Sequence, residues 1–252
     1  MTNSIQAIII KNILKYTLRR KYKSIKQLRS QSIGSPELLS RYFPNISYTQ
    51  YRSFGIDTAI LKPDSEKTEK AVLFLHGGGY VTGGIKSHLL LGLTLSDTLH
   101  AALFLPEYRL APEYPFPAAL DDARQTYNWI LEQGFKPGSI SIIGDSAGGG
   151  LALALIQSLL ESGEKIPSAV VCISPWTDLT LSGNSLTHMS GGEIVLRADE
   201  LSDWANYYSN MEKLENPKVS PLFGSFAGFP KLLIQVGSDE MLLDDSNRLN
   251  QK

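Results

Sequence analysis

Ser141-Ile142-Ile143-Gly144-Asp145-Ser146-Ala147-Gly148-Gly149-Gly150 is the stretch whose reading decides how this chain folds. Ser139 to Ile143 reads as a strand and Ala147 to Ser162 as a strongly apolar helix. Between them the chain turns sharply around Ser146, flanked by Gly144 and Gly148 in the spacing G-x-S-x-G. Such a turn lifts a serine hydroxyl clear of a sheet. Glycines flank it because side chains there would collide with the neighbouring strand and helix. The spacing alone is a weak signal, since glycine and serine cluster in many loops; the strand before it and the helix after it make it specific.

Outward from this turn the same alternation continues. Ala71-Val72-Leu73-Phe74-Leu75 is a continuous apolar run, the mark of a strand buried on both faces, and His76-Gly77-Gly78-Gly79 follows it directly. Residues 86–99 read as a helix, Ala101 to Leu105 as a strand, and Asp121 to Gln133 as a helix stopped by Gly134. Ala169 to Ile173 and Lys231 to Val236 are further strands. Strands alternating with helices predict an α/β fold with a mostly parallel central sheet and helices on both faces. Residues 48–61 read as extended chain and Lys62 to Lys70 as a charged loop. Residues 175–230 read as irregular apart from a helix near Asp199 to Asn210. Apolar positions at helical spacing over residues 5–31 predict one or two amphipathic helices outside the sheet.

Chemistry narrows the reading. A serine hydroxyl is a weak nucleophile at neutral pH and needs an adjacent base, and the tetrahedral oxyanion it generates needs preorganised N–H donors. The Ala147 N–H, at the start of a helix, can supply one donor with the helix dipole behind it. Gly77 and Gly78 are the expected others, because backbone approaches closely where there is no Cβ. An acidic pair, Asp239-Glu240, follows the last strand, where ligands and catalytic groups gather in such sheets. The triad order here is serine, acid, histidine, yet none of the twelve residues after Glu240 is histidine.

Composition excludes several function classes. The 252 residues suit one α/β domain, 42% apolar and 19% charged residues are globular values, and the net charge of −1 argues against a nucleic-acid surface. Residues 1–41 hold nine Lys or Arg and one acid, Glu37, against 15 basic and 24 acidic residues in the remainder. This basic arm would allow weak contact with an anionic membrane surface, but a solvated helix face is the simpler reading, as no aromatic anchors interleave it. The single cysteine, Cys172, sits in an apolar run and reads as a small buried hydrophobe. No signal peptide and no transmembrane segment are read, which makes a cytoplasmic location the expectation.

Four segments together resemble the hormone-sensitive-lipase-like esterases, the bacterial family IV within the α/β-hydrolase fold. They are His76-Gly77-Gly78-Gly79-Tyr80; Tyr108-Arg109-Leu110-Ala111-Pro112-Glu113 with Phe116-Pro117-Ala118-Ala119 and Asp121-Asp122; Gly144-Asp145-Ser146-Ala147-Gly148-Gly149; and Glu240-Met241-Leu242-Leu243-Asp244-Asp245-Ser246. The resemblance implies carboxylic ester hydrolysis by a serine nucleophile through an acyl-enzyme, on small or medium acyl esters or lactones, without metal or cofactor. It implies an oxyanion hole of Gly77, Gly78 and Ala147. It also implies a helical cap built from residues 1–45 and an insertion at 180–215 within a single domain, 1–252. The family's acid stands four residues before another acid, which favours Glu240 (with Asp244) over the alternative Asp239. Its base follows the acid by one helix and one strand, so the last strand and helix of the fold are expected to lie beyond this sequence.

The four histidines fit other roles. His76 belongs to the glycine loop, His88 to the next helix, His100 to a helix end and His188 to the insertion. Arg109 with Asp121 or Asp122 can order the loop before the third helix, and Trp176 can line an acyl pocket or pack beneath the cap. The alternative to an esterase is a truncated or catalytically silent binding protein of the same fold, or a chain whose histidine comes from a partner.

Overall fold

The computed structural model describes residues 24–30, 39, 41–64, 68–188, 193, 196–210 and 212–252. Most of the amphipathic pattern at 5–31 and of the basic arm lies outside the described residues; the one described helix there is α1 (Ile25–Arg29). Among the described residues seven strands form one sheet: β1 (Ile46–Ser53), β2 (Ile56–Pro63), β3 (Ala71–Leu75), β4 (Ala102–Pro106), β5 (Ile140–Asp145), β6 (Ala169–Ile173) and β7 (Lys231–Gln235). The helices are α2 (Ile85–Leu99), α3 (Ala118–Glu132), α4 (Ala147–Glu161), α5 (Ser185–His188), α6 (Ala198–Ser209) and α7 (Leu243–Leu249). The strand order is β1-β2-β4-β3-β5-β6-β7. β4, β3, β5, β6 and β7 run parallel, while β1 and β2 add antiparallel strands at one edge.

The continuous apolar runs are explained by two cores, one on each face of the sheet. Leu73, Leu75, Phe104 and Ile142 face α3 and α4, whereas Val72, Phe74, Leu103, Leu105 and Ile143 face Ile85, Leu89 and Leu93 of α2. Successive strand residues therefore alternate between two apolar environments rather than between core and water. α4 is buried almost all round, from Ala147 to Leu159. The extended chain at 48–61 is a hairpin: Ser53 pairs with Ile56, so the turn is Phe54-Gly55, with φ of 54° and 83°. Positive φ at both turn residues matches the right-handed twist of the flanking strands.

Register sets the geometry of the site. Leu75 lies opposite Gly144, and Asp145 opposite Ile173. The loop after β3 and the turn after β5 therefore emerge side by side at the same end of the sheet. Beyond β6, Ser174 N–H donates to Gln235 O at 2.7 Å, which brings the loop after β7 to that end as well.

Candidate active site

Ser146 sits between β5 and α4 with φ 51° and ψ −121°, a conformation an L-residue adopts only when its surroundings enforce it, at roughly 1–3 kcal/mol. The enforcement is visible. Ser146 N–H donates to Ile173 O at 2.9 Å, and Ser146 O accepts from the N–H groups of Gly149 (3.0 Å), Gly150 (3.2 Å) and Trp176 (2.9 Å). A Cβ on Gly148 would run into the carbonyl of Leu75, and one on Gly144 into the carbonyl of Gly148. The glycines thus permit the close approach of β3, β5 and α4. A trans peptide points its N–H opposite to its C=O. The triply held Ser146 carbonyl therefore fixes the direction of the Ala147 N–H, which as the first helical donor has no intrahelical acceptor.

The same logic orders the glycine loop. His76 Nδ1 lies 2.8 Å from Gly77 O, and Gly78 O accepts from Val81 N–H (3.0 Å) and Thr82 N–H (2.9 Å). With both carbonyls held, the N–H groups of Gly78 and Gly79 point away from them. Among the described residues no acceptor engages either N–H, nor that of Ala147. Gly77 differs from expectation. Its N–H donates to Asp145 Oδ1 at 2.9 Å, so it is occupied and not available to an oxyanion. Sequence places Gly77 and Gly78 equally well; only the distance to Asp145 separates them. Ser146 and Gly78 are both partly open to solvent, whereas Ala147 and Gly79 are buried.

His76 is fully buried, stacked on Tyr108 with ring centroids 4.0 Å apart. Burial, reinforced by the charge of His88, pushes its pKa down to about 3, so the ring is neutral and its Nδ1 is the donor to Gly77. Tyr108 donates its hydroxyl to His76 O at 2.5 Å. Arg109 N–H and guanidinium both bind the buried Asp122, at 2.8 Å through the backbone and 2.7 Å through Nη2. Asp122 rather than Asp121 is therefore the partner that orders this loop before α3.

The acid pair lies in the turn after β7. Glu240 is half-buried and Asp239 exposed. Glu240 Oε1 accepts the Gly237 N–H at 2.7 Å, which holds the carboxylate within its own turn. Neither acid is bonded directly to Ser146, as expected where a third group must stand between nucleophile and acid. None of the four histidines is bonded to Ser146. His88 Nε2 lies 3.3 Å from Asp145 Oδ2, His100 is the left-handed cap of α2, and His188 is exposed with Nδ1 2.9 Å from Asn184 O.

Several residues around the site were silent in the sequence. A Cβ on Gly79 would enter the ring of Trp204 on α6. Tyr208 of the same helix stacks on Tyr80 at 3.7 Å, and its carbonyl accepts the Phe116 N–H at 2.7 Å. The sequence predicts a helix near Asp199 to Asn210 but not what it would cover. Glu193 Oε2 accepts the Met241 N–H at 3.0 Å, tying the 180–215 region to the acid turn. Asp245 accepts the N–H groups of Thr177 (2.7 Å) and Asp178 (2.8 Å), and burial pushes its pKa up to about 7. Trp176 is fully buried and donates to Asp178 O at 3.2 Å; it is a core aromatic rather than a pocket wall. Cys172 is buried as expected, its thiol pushed up to about 12 by burial. A cleft of about 590 Å³ lies elsewhere, lined by Glu69, Ala102 and Ser139 at the opposite ends of the strands from Ser146. No group of metal-ligating side chains and no helix long and apolar enough to cross a membrane occurs among the described residues.

A sharp serine turn on a mostly parallel sheet, beside a glycine loop with unengaged N–H groups, defines an α/β-hydrolase. The chain belongs to this family: a family model of the alpha/beta hydrolase fold matches residues 72–252. Among related proteins, an acetyl-hydrolase of Streptomyces hygroscopicus is 45% identical over 182 residues, which is 72% of this chain and 61% of that protein. An esterase of Acinetobacter venetianus is 36% identical over 218 residues, 85% of this chain and 72% of that protein. The chain thus spans about three fifths of the length of the former. Crystal structures of the esterase EstE5 superpose with a TM-score of 0.90 at 35% identity, over 99% of this chain and 84% of theirs. An esterase from the bacterial hormone-sensitive lipase family superposes with a TM-score of 0.89 at 30% identity, over 100% of this chain and 84% of that one. The resemblance read from the four sequence segments is therefore borne out.

Proposed function

We propose that this chain carries the acyl-transfer centre of a carboxylic ester hydrolase, with Ser146 as nucleophile. One observation carries the reading: a strained, partly open serine stands beside three N–H groups, of Gly78, Gly79 and Ala147, whose carbonyl partners are all held elsewhere. Ser146 Oγ attacks the ester carbonyl, the carbonyl oxygen takes the electron pair, and the three N–H groups stabilise that oxyanion. Collapse expels the alcohol, which carries off the proton that Ser146 Oγ gave up to a general base on attack, and leaves an acyl-serine, which water then hydrolyses to the acid and the free hydroxyl. Gly77 takes no part in the oxyanion site, since Asp145 holds its N–H.

Glu240 is the better acid, because it is the less exposed of the pair and already held in its turn. It would orient a base that is none of this sequence's four histidines, each of which has another place. The family's cap is assigned to α1, α5 and α6, with Trp204 lying over the glycine loop. Substrates are small or medium acyl esters, in keeping with relatives that include an acetyl-hydrolase and an ethyl acetate hydrolase of Pseudomonas putida.

The proposal is tested by incubating the protein with p-nitrophenyl butyrate and mapping acylated peptides by mass spectrometry. A butyryl group on Ser146, absent from Ser146→Ala, is the expected result. A protein that binds the ester without acylating Ser146 would support the silent binding protein instead.

A further inference from the structure

We propose that Asp145, which touches neither substrate nor oxyanion, is a positioning residue that sets where the oxyanion donors stand by gripping the Gly77 N–H. The inference rests on the reading of Ser146 as nucleophile and goes beyond it. Asp145 is the last residue of β5, and Ser146 is its immediate neighbour. Its Oδ1 accepts the Gly77 N–H at 2.9 Å, a contact across 68 residues of chain. A Cβ on Gly77 would enter the Asp145 carboxylate, and the Asp145 backbone oxygen would stand only 2.9 Å from it. The grip therefore works at a distance that only glycine permits.

The carboxylate is itself held. Its Oδ2 lies 3.3 Å from His88 Nε2, and His88 Nδ1 lies 2.9 Å from Ser87 Oγ, which donates to Gly84 O at 3.0 Å. Both histidine nitrogens thus have partners, one in the first turn of α2 and one at the end of β5. That helix start is fixed in turn by Glu107, whose Oε1 accepts the Ile85 N–H at 3.0 Å. His76 settles the rotation of the 77–78 peptide through Gly77 O, whereas Asp145 settles its position relative to Ser146 through Gly77 N–H. A drift of about 1 Å between nucleophile and donors is enough to cost a hundredfold in rate.

The test compares the 252-residue protein with Asp145→Ala, Asp145→Asn and His88→Ala. Amide exchange at Gly77, read by NMR, needs no turnover. It is expected to quicken at least tenfold in Asp145→Ala, to stay near the parent in Asp145→Asn, which keeps the acceptor oxygen, and to lie between in His88→Ala. With p-nitrophenyl butyrate, kcat should fall by about tenfold to a hundredfold in Asp145→Ala with KM unmoved, and Asp145→Asn should recover most of it. Unchanged Gly77 exchange in Asp145→Ala overturns the proposal; if that variant does not fold, unchanged exchange in His88→Ala overturns it. A kcat loss that Asn does not rescue overturns it too. A parent protein with no Ser146-dependent hydrolysis would instead remove the nucleophile reading, and the exchange rates would still decide whether Asp145 grips the loop.

Discussion

His76 Nδ1 donates to the carbonyl of the residue that follows it, Gly77, at 2.8 Å, from a ring that is fully buried. This bond keeps the Gly77–Gly78 peptide from turning over, so the direction of the Gly78 N–H depends on His76. Replacing His76 by Ala is expected to lower kcat for p-nitrophenyl butyrate by about a hundredfold or more, the scale of losing one oxyanion donor. KM should change less than about twofold, because a donor acting on the oxyanion contributes to the transition state and not to ground-state binding. Steady-state kinetics on the two proteins separates these effects.

The same ring predicts an acid-sensitive fold. Its pKa is lowered from 6.5 to about 3 by burial, so the unfolded chain takes up a proton as pH falls below about 6.5 while the native chain does not. Stability is therefore lost on acidification through that window, by about 1.4 kcal/mol per pH unit from this group. Urea unfolding at pH 6.5, 5.5 and 4.5 should show the decline, and His76→Phe, which keeps the stack on Tyr108, should flatten it.

Asp245 works in the opposite sense. Burial raises its pKa from 3.8 to about 7, against the pull of the Thr177 and Asp178 N–H groups, so the native state holds a proton that the unfolded chain has released. Its contribution is most favourable below about pH 4 and is lost as pH rises toward 7. Asp245→Asn keeps the acceptor oxygen without the charge. It should gain stability relative to the parent at pH 8 and lose that advantage by pH 4, measured by chemical denaturation at both values.

Legibility in the sequence followed burial. β3, β4, β5 and β6 were readable because apolar runs in a chain of βαβ units have only one use, and the serine turn because its glycines mark places where backbone meets backbone. The β1–β2 hairpin was readable only as extended chain. Its edge strand, Ser47-Tyr48-Thr49-Gln50-Tyr51-Arg52, is too polar for hydrophobic periodicity to report, and the turn is carried by Phe54-Gly55, with no Asn or Asp to announce it. In the site, residue types were legible and partners were not. Choosing Asp122 over Asp121, or finding that Gly77 is already occupied, takes a distance and not a pattern. β7 was legible as the last strand in the sequence, and it stands at the edge of the sheet among the described residues, with Leu233 59% exposed.

Steric economy at the serine turn gives a sharp prediction. Gly148→Ala would drive a methyl group into the carbonyls of Leu75 and His76, which belong to the backbone of β3 and the glycine loop and have no flexible end to yield. A loss of about 1–3 kcal/mol is expected, the range for overpacking, together with loss of Ser146 reactivity. Thermal unfolding and acylation measured on one preparation show whether both fall together.

Since none of the four histidines meets Ser146, small bases should substitute for one. Imidazole added at millimolar concentrations is expected to raise the Ser146-dependent rate in proportion to its neutral fraction, and the free-solution reaction of imidazole with the ester is subtracted using Ser146→Ala. A rate that ignores imidazole would mean that a base is already in place.

The most direct test of the nucleophile is the initial rate of p-nitrophenyl acetate hydrolysis by the protein beside Ser146→Ala at equal concentration. Oxyanion stabilisation and binding without a base still leave about a thousandfold over water. The parent is therefore expected to hydrolyse the ester slowly but measurably, and Ser146→Ala to fall to the buffer rate. Equal rates for the two proteins would contradict the assignment of Ser146.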